Sequence, residues 1–344
     1  MDEVSWKAAW TGGQYSLVRA TAAALVFFLL LEATFAAGAF WYLPASMAVA
    51  AVALGLGAGG RPLAALFATL LPFAGIAPEH SGVVLLTTAW LLLHLALPAS
   101  PYASLPAWGR ADPAGPWAMP GWYPFLWQAY FVITRLGLAL GAFAEGQAGL
   151  AAMFVSGAAL TFLPTTAVAG WTISLAAQVS LSLSGNGSMA AAGLLHLLTF
   201  QPAWLARRRD EGTATVFYDG SCALCHAAVR FLLSEDRNPP RFRIAPLGES
   251  VWLDTVPERV RVSRPDSVVV VRGDEVLMRG SAVIAILEAL GGWWRMVGSF
   301  LRLAPRSAVD AAYDAVAARR YRWFGRKAES CPLMPAALAG RVER

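Results

Sequence analysis

The sequence has few charged residues and few cysteines for its length. Only 14% of its 344 residues are Asp, Glu, Lys or Arg, whereas 57% are hydrophobic and the mean hydropathy is +0.52. An ordinary soluble domain carries roughly a quarter charged residues, so this composition argues against one and predicts that much of the chain lies in lipid. The three cysteines, Cys222, Cys225 and Cys331, are too few and too widely spaced for the disulfide framework of a small secreted domain.

Charge is missing mainly from residues 1–206, which we predict to be a multi-span helical membrane domain. A membrane-spanning helix needs about 20 apolar residues. The first apolar stretch is long for a signal peptide and further stretches follow it, so an uncleaved span is favoured. Several stretches are short, and the second and third are also compatible with one kinked or re-entrant unit, so we expect about eight spans. They are Thr21–Leu43, Ala45–Gly59, Pro62–Ala77, Val83–Leu97, Tyr123–Phe143, Ala148–Leu163, Thr166–Leu183 and Met189–Phe200.

The basic residues predict which loops face the cytoplasm. With an even number of spans, the N-terminus and the cluster at residues 207–209 lie on one side, together with the loops that hold Arg61 and Arg110. The opposite loops hold no Lys or Arg, so the positive-inside rule makes the first side, and the C-terminal domain, cytoplasmic. The net charge of +5 fits this topology. No basic stripe alternates with exposed aromatic residues, so we expect no nucleic-acid partner.

Five polar or ionisable side chains interrupt the apolar stretches: Glu32, His94, Arg135, Gln178 and His196. Such groups are costly in lipid and usually face a partner or a cavity. Glu32 and Arg135 have opposite charges and are candidates for an ion pair between helices. The five residues fit either polar contacts that fix helix packing or a transport or catalytic site, and the sequence leaves both open.

Residues 213–332 have the pattern of a soluble α/β domain, followed by a tail at residues 333–344. The β-branched and aromatic run Thr215–Tyr218 predicts a strand, and Asp219-Gly220 predicts a turn. Ser221 is a suitable N-cap for a helix over Cys222–Leu233. Further strands are predicted at Arg241–Ala245, Ser267–Val271 and Glu275–Met278, and helices at Ser281–Leu290 and Ala308–Phe324. This order, with a Cys-x-x-Cys pair at the first strand-to-helix turn, predicts a thioredoxin-like arrangement.

The spacing of Cys222 and Cys225 suits dithiol chemistry. The first cysteine opens a helix, where unpaired N–H groups and the helix dipole favour a thiolate. The second lies one turn deeper, so we predict Cys222 as the exposed nucleophile and Cys225 as the resolving thiol. Asp219 is expected to form the turn or to accept a proton. The supporting residues are Tyr218, Asp219, Gly220, Ser221 and Pro265, the last being either the proline that often lies opposite such a pair or an ordinary turn proline.

Three other interpretations of the cysteines stay open. Cys222 and Cys225 fit two buried structural thiols, and with His226 and Cys331 they offer four zinc ligands, although no second close ligand pair exists. Cys222-Ala223-Leu224-Cys225-His226 also matches the pattern for c-type haem attachment, with a distal ligand from Met278 or Met334. The preceding strand and the cytoplasmic side argue against haem. We therefore expect no cofactor and no metal, and His226 as a surface residue.

The residues from Val216 to Cys225, VFYDGSCALC, resemble the YDGxCxxC motif that opens the DCC family of predicted thiol-disulfide oxidoreductases. This resemblance implies a thioredoxin-like domain in which Cys222 and Cys225 are the redox pair. It continues through Asp266–Val271, Arg279–Val283, Tyr313–Gly325 and Glu329–Cys331.

The preceding half is more loosely similar to membrane domains fused to that family, which are related to the HTTM domain of vitamin K-dependent carboxylases. The similar segments are Gly109–Pro113, Trp117–Pro120 and His196–Leu205. Gln201 stands where an Asp is usual, Gln178 stands where a His is expected, and no Lys within the spans can act as a base. Carboxylase chemistry is therefore not expected here.

Together these observations predict a membrane-anchored thiol-disulfide oxidoreductase with its dithiol on the cytoplasmic face. Its expected partners are a disulfide or thiol substrate (a protein or a small molecule), the lipid membrane and a membrane redox partner. Residues 1–206 contain no cysteine, so electrons cannot cross the bilayer by thiol exchange within the chain. The alternative hypothesis is a membrane transport or binding protein with a regulatory cysteine pair.

Overall fold

A computed structural model describes residues 10–36, 40–74, 76, 81–97, 119–163, 165–183, 189–205, 212–236, 240–263, 266–326 and 341. The chain divides into two compact units. The first comprises residues 1–10, 15–106 and 117–204, and the second comprises residues 11–14, 107–116 and 205–344.

The first unit is helical. Its α-helices are α1 (Gly12–Ala36), α2 (Tyr42–Gly55), α3 (Gly60–Leu70), α4 (Ser81–Leu95), α5 (Tyr123–Ala144), α6 (Ala148–Leu160), α7 (Ala167–Leu183) and α8 (Met189–Leu198), and short 3-10 helices lie at Leu71–Phe73 and Pro202–Leu205. Each apolar stretch of the sequence therefore forms a helix. α1 begins at Gly12 rather than at Thr21, and it includes Arg19 as a buried side chain.

Two helical segments in the described ranges are long and apolar enough to cross a membrane, Gly12–Phe35 and Phe125–Ala144. Five shorter apolar helices have 10–17 residues. A buried core helix and a signal sequence meet the same criteria of length and composition. Helix length therefore does not establish the eight predicted spans.

Arg135 on α5 is fully buried, and its contacts differ from the predicted ion pair. Its guanidinium donates to Nδ1 of His196 at 2.8 Å, to Oγ1 of Thr199 at 2.6 Å and to Oε1 of Gln178 at 3.4 Å. Glu32 is an exposed residue of α1. The suggested pairing of Glu32 with Arg135 is therefore wrong, and the polar side chains of Gln178, His196 and Thr199 contact the arginine instead.

α6 and α7 approach each other closely at two glycines. A Cβ atom built on Gly170 would lie 2.5 Å from the carbonyl oxygen of Gly157 and 2.8 Å from Cβ of Leu160. Small residues allow helix backbones to approach in this way, which is the usual basis of tight packing between apolar helices.

Gly170→Ala is expected to destabilise the helical unit by about 1–3 kcal/mol, because the added methyl group forces α6 and α7 apart. Thermal unfolding of the full chain in detergent measures the change. Gly149→Ala is the matched control on α6, since a Cβ there would have no neighbour within 4 Å. Equal stability of both variants would contradict the described helix packing.

The second unit contains a four-stranded mixed sheet with helices. Strands β1 to β4 are Ala214–Tyr218, Phe242–Pro246, Val269–Arg272 and Glu275–Met278, and the helices are α9 (Ala223–Glu235), α10 (Ser250–Thr255), α11 (Glu258–Ser263), α12 (Arg279–Leu290), α13 (Gly292–Leu303), α14 (Arg306–Ala317) and α15 (Arg320–Phe324). The strand order is β2-β1-β3-β4. β1 pairs with β2 in parallel, from Ala214 opposite Phe242 to Tyr218 opposite Pro246, whereas β1 with β3 and β3 with β4 are antiparallel.

The alternation of side chains along β1 builds a core on one face of the sheet. Phe217 is fully buried, and its ring meets the ring of Trp252 edge to face at 5.1 Å. Valines of β3, α10 and α11 complete this cluster. Val216 and Tyr218 point to the other face because successive side chains of a strand alternate. The sheet therefore holds the end of β1, and the turn that follows it, in a fixed position.

The predicted strands and helices occur in the predicted order, with α10, α11 and α13 as further helices between them. α10 and α11, between β2 and β3, were not predicted because each is only six residues long. The single helix predicted at Ala308–Phe324 is two helices, α14 and α15, separated by Ala318 and Arg319. The bounds of β1, β2, β3, α9 and α12 differ from those predicted by one or two residues.

Candidate dithiol site

The site begins in the turn that follows β1. The N–H of Cys222 donates to the carbonyl oxygen of Asp219 at 3.2 Å. Oδ1 of Asp219 accepts the N–H of Ser221 at 2.9 Å and its hydroxyl at 2.8 Å. An aspartate that bonds to the backbone two residues later stabilises a turn. Asp219 and Gly220 therefore form the turn expected from the sequence.

Cys222, rather than Ser221, is the N-cap of α9. Its backbone is extended, with φ −98° and ψ 120°, and its Sγ accepts the N–H of Cys225 at 3.3 Å. Ser221 was predicted as the cap, but its hydroxyl bonds to Asp219 one residue before the helix begins. The first cysteine of the pair therefore opens the helix.

Cys222 is fully buried, so the prediction of an exposed nucleophile is wrong for this conformation. The chain returns to Cys222 after α15, where the backbone of Arg326 pairs with that of Cys222 in an isolated β-bridge. The N–H of Ala223 also donates to the carbonyl oxygen of Gly325 at 3.4 Å. The pair of residues Gly325 and Arg326, here called the covering segment, lies against the first cysteine.

Cys225 is half-buried and is a free thiol, like Cys222. The two sulfurs and a carboxylate oxygen of Asp219 all lie within 4.8 Å of one another. Burial raises the pKa of the Cys225 thiol well above its ordinary value, and the hydrogen bond to Cys222 and the nearby carboxylate of Asp219 raise it further. Cys225 therefore keeps its proton at neutral pH, which suits a thiol that acts second.

A buried arginine from α15 ties the turn to the rest of the domain. Nη2 of Arg320 donates to Oδ2 of Asp219 at 3.1 Å and also to Oδ1 of Asp266, and Nη1 donates to the carbonyl oxygen of Ala317 at 2.9 Å. Burial alone would lower the pKa of Arg320, but the hydrogen bonds to Asp266, Tyr321 and Asp219 raise it above its ordinary value. The guanidinium is therefore charged at every pH of interest.

The same network fixes the charge of Asp219. Its Oδ2 also accepts the hydroxyl of Tyr321. Burial alone would raise the pKa of Asp219, but the hydrogen bonds from Tyr321, Ser221 and Arg320 outweigh that effect and hold the pKa below its ordinary value. Asp219 is thus an anion beside the sulfurs, which opposes a second negative charge on Cys225.

Because folding lowers the pKa of Asp219, its contribution to stability is complete above its unfolded pKa of about 3.9 and is lost as the pH falls through the folded pKa. Asp219→Asn is therefore expected to lower the unfolding temperature at pH 7 and to weaken its dependence on pH below about 4. Thermal unfolding of the full chain across pH 2–7 measures both effects. Asp274→Asn, in the exposed turn between β3 and β4, is the control and should leave the acid dependence unchanged. A variant at Asp219 with the wild-type acid slope would contradict the network.

Arg320 and Tyr321 were not identified as site residues from the sequence. The run Arg319-Arg320-Tyr321-Arg322-Trp323 is basic and aromatic, which is typical of a helix that lies against a membrane or a protein surface. Only Arg320 of its arginines is buried in the described structure. The one available signal was that both residues fall within the tail that resembles the DCC family.

His226 is buried, so its prediction as a surface residue is wrong. Its Nε2 is bonded to the carbonyl oxygen of Gly220 at 2.7 Å, and its ring meets that of Tyr218 edge to face at 5.8 Å. The histidine therefore stabilises the turn through its bond to the backbone of Gly220. Met278, one suggested distal haem ligand, packs against the Phe217 cluster. Neither residue is placed for haem ligation.

Within the described part of the chain, the donors near the pair are fewer than the four ligands of a tetrahedral zinc site. Among the described residues, Asp219, Cys222 and Cys225 are the one group of three possible ligands found together. Both oxygens of Asp219 already accept hydrogen bonds, and His226 bonds to Gly220. Tetrahedral sites need four ligands. The predicted residues Pro265, Cys331 and Met334 lie outside the described residues.

An apolar cavity of about 260 Å³, here called the Cys225 cavity, adjoins the second cysteine. Val216 and Tyr218 of β1 form its floor, and Cys225, Asp219, Asp266 and Arg320 lie at its polar end. The rest of its wall comes from α9, α12, α14 and the two residues that precede β3, Ser267 and Val268. Cys222 is not part of the wall. The pair of cysteines therefore has one member under the covering segment and one at the cavity.

Comparisons with known proteins agree with this site. Residues 216–326 match the family model described as DCC1-like thiol-disulfide oxidoreductase. The chain is 29% identical over 114 residues to the YuxK protein of Bacillus subtilis (strain 168), covering 33% of this chain and 82% of that protein. It is 32% identical over 129 residues to a chloroplastic DCC family protein of Arabidopsis thaliana, covering 36% of this chain and 72% of that protein. No solved structure matches the chain. Through this C-terminal domain, the chain belongs to the DCC family.

Proposed function

We propose that the C-terminal domain is a thioredoxin-like thiol-disulfide oxidoreductase whose reactive dithiol is Cys222 and Cys225. The observation that carries the proposal is the position of the two sulfurs. Sγ of Cys222 accepts the N–H of Cys225 at the N-terminus of α9, and the two sulfurs lie within 4.8 Å of each other. The sheet order β2-β1-β3-β4, with the pair between parallel strands β1 and β2, supports a thioredoxin-like fold.

The different surroundings of the two cysteines suggest their order of action. The Cys222 thiolate attacks one sulfur of a substrate disulfide, and a mixed disulfide forms as the first substrate thiolate leaves. That leaving group takes the proton of Cys225, whose raised pKa has kept it protonated until then. The Cys225 thiolate then attacks Cys222, closes the internal disulfide and releases the second substrate thiolate. Two electrons pass to the substrate, and an external dithiol must reduce the enzyme again.

The buried position of Cys222 adds a conformational step to this sequence. The covering segment lies over the first cysteine, so Gly325 and Arg326 must move before a substrate disulfide can reach it. The guanidinium of Arg326 lies 4.3 Å from the centre of the Tyr321 ring. Tyr321 in turn bonds to Asp219. The residues that hold the covering segment are thus linked to the turn that holds the pair.

We further propose that residues 1–206 are an HTTM-like, multi-span membrane domain and that the dithiol lies on the cytoplasmic face. Large apolar side chains exposed on this unit support the proposal, among them Phe35 at 84%, Phe125 at 76% and Val49 at 71% exposure. Such surfaces on a helical unit are stable when lipid covers them. In the reducing cytoplasm the pair would rest as a dithiol, which favours a reductase or a redox sensor over an oxidase.

Cys225→Ser is expected to trap the substrate, because a mixed disulfide on Cys222 then has no second thiol to resolve it. Native membranes that contain this variant are treated with an alkylating agent and separated without reductant, and adducts of Cys222 are identified by mass spectrometry. The double variant with Cys222→Ser is the control and should form no adduct. Adducts of equal yield in both variants would contradict the assignment of Cys222 as nucleophile.

A second candidate function rests on the buried cluster around Arg135. The arginine is fully buried among Gln178, His196 and Thr199. Burying a charged group in this position is costly, which indicates that the arginine has a role in packing or in binding. We propose as this second candidate that the helical unit has a transport or binding activity of its own. Loss of a cellular function in Arg135→Gln, with disulfide reduction unchanged, would support this activity. Loss of both activities together would instead indicate a role in packing.

A further inference from the structure

The Cys225 cavity has the properties of a binding site for a small, uncharged and mainly apolar molecule. We propose that it binds the apolar part of a neutral small-molecule disulfide, or of the thiol released from it. This inference rests on the proposed dithiol chemistry and names the class of substrate for it.

The size and lining of the cavity support an apolar ligand. Its volume of about 260 Å³ is far larger than the ~10–15 Å³ that a single water molecule requires. Water is poorly held in such a space, because buried waters need two to four polar partners and the walls here are largely valine, leucine, isoleucine and phenylalanine side chains. Ligand pockets are typically apolar with a few polar groups at one end, which is the arrangement found here.

The charges at the polar end disfavour an anion. One guanidinium, that of Arg320, is shared between two carboxylates, those of Asp219 and Asp266. These three groups carry a net charge of −1, and Arg320 has its charge already compensated. An anionic disulfide would therefore meet repulsion at this end, whereas a neutral one would not. The sulfur of the ligand is expected at this end, because Cys225 lines it.

The position of Cys225 gives the cavity a role in the reaction. The thiolate of Cys222 displaces one half of the ligand disulfide, and that half leaves into the cavity and takes the proton of Cys225. Release of the second half follows when Cys225 closes the internal disulfide. The cavity therefore binds the leaving group. One of its walls comes from α14, a helix in which every residue is at least partly exposed. A cavity of this size encloses a small molecule rather than a folded protein.

The test compares disulfides of matched shape and different charge. 4,4′-Dithiodipyridine is aromatic and neutral, whereas 5,5′-dithiobis(2-nitrobenzoate) is aromatic and dianionic. Dithiothreitol is the reductant, and the rate of reduction of each compound with the protein is divided by its rate with dithiothreitol alone. The wild-type protein is expected to prefer the neutral compound in kcat/KM at least about tenfold. Val283→Phe, which fills the cavity from α12, is expected to raise KM for the neutral compound at least about tenfold. Ile284→Phe is the matched control, since Ile284 is equally half-buried on α12 but does not line the cavity.

A binding measurement separates this inference from the proposed function. 4,4′-Dipyridyl sulfide has no S–S bond, and its binding is measured by calorimetry on the full chain in lipid nanodiscs, with empty nanodiscs as the blank. One saturable site that is lost in Val283→Phe supports the cavity site even if no variant reduces a disulfide, in which case the proposed function alone fails. Reduction of disulfides without charge preference and without such binding overturns the inference. If Val283→Phe does not fold, Ala228→Leu fills the same cavity from α9 and must give the same loss.

Discussion

Disulfide reduction is expected to fall at least about 10³-fold when Cys222 is replaced by serine. A serine hydroxyl at the N-terminus of α9 stays protonated at neutral pH, so it cannot attack a disulfide as a thiolate does. Cys225 cannot substitute for it, because its burial and the nearby carboxylate of Asp219 raise its pKa without any contribution from Cys222. The measurement is the rate of reduction of 2-hydroxyethyl disulfide by the full chain with an excess of dithiol reductant.

The control for this loss is Cys331→Ser, which removes the third thiol. Its rate of disulfide reduction is expected to stay within about twofold of the wild-type rate, because Cys331 is not one of the proposed reacting groups. The two variants differ from the wild type by the same sulfur-to-oxygen change. A Cys222→Ser protein that still reduced the disulfide at the wild-type rate would remove Cys222 from the mechanism. An equal loss in both variants would instead bring Cys331 into it.

The second large effect is expected at Arg320. Arg320→Met should lower the free energy of unfolding of the C-terminal domain by about 3 kcal/mol, since breaking a buried charged pair leaves the other charge without its partner. Most of this loss comes from Asp219, because Asp266 is 77% exposed and its share is screened by solvent. The variant should also react more slowly with disulfides, because Asp219 no longer holds the turn before Cys222 in place.

Chemical unfolding followed by the tryptophan fluorescence of the domain measures the loss at Arg320. The matched control is Arg319→Met, the adjacent residue, which is exposed and whose guanidinium bonds to the carbonyl oxygen of Ala315. An exposed contact of this kind contributes about 0–1 kcal/mol. A loss of equal size in the two variants would show that the network of Arg320, Asp219 and Tyr321 does not stabilise the site.

The local part of the site was predictable from the sequence. A β-branched and aromatic strand, an Asp-Gly turn and a Cys-x-x-Cys helix are each set by neighbouring residues, and they occur in the predicted order. The prediction of the cap was one residue early because Ser221 and Cys222 can both cap a helix. The serine forms the turn with Asp219, which leaves the cap to the cysteine.

The burial of the site was not predictable, because it depends on residues about one hundred positions away. Cys222 is covered by the backbone of Arg326, and Asp219 is bonded to Arg320 and Tyr321. An arginine-rich helix with aromatic residues is typical of a surface or a membrane contact, and its composition does not reveal which arginine turns inward. Contacts of this kind are set by tertiary packing.

In the helical half, too, local structure was predictable from the sequence and contacts between distant residues were not. Apolar stretches predicted the existence of the helices well, since each stretch favours a helix by itself. Their contacts could not be predicted, because a helix that is apolar on all sides carries no pattern that tells which face meets which. Arg135 therefore bonds to Gln178 and His196 rather than to the exposed Glu32.

Reversible closure of a disulfide between Cys222 and Cys225 is the most direct test of the account. The full chain is oxidised with a mild disulfide, alkylated and digested, and the linked peptides are identified by mass spectrometry before and after treatment with a dithiol. The account predicts one peptide pair joined through Cys222 and Cys225 that is lost on reduction. Recovery of both cysteines as separately alkylated thiols after oxidation, or of either one joined to Cys331 alone, would contradict it.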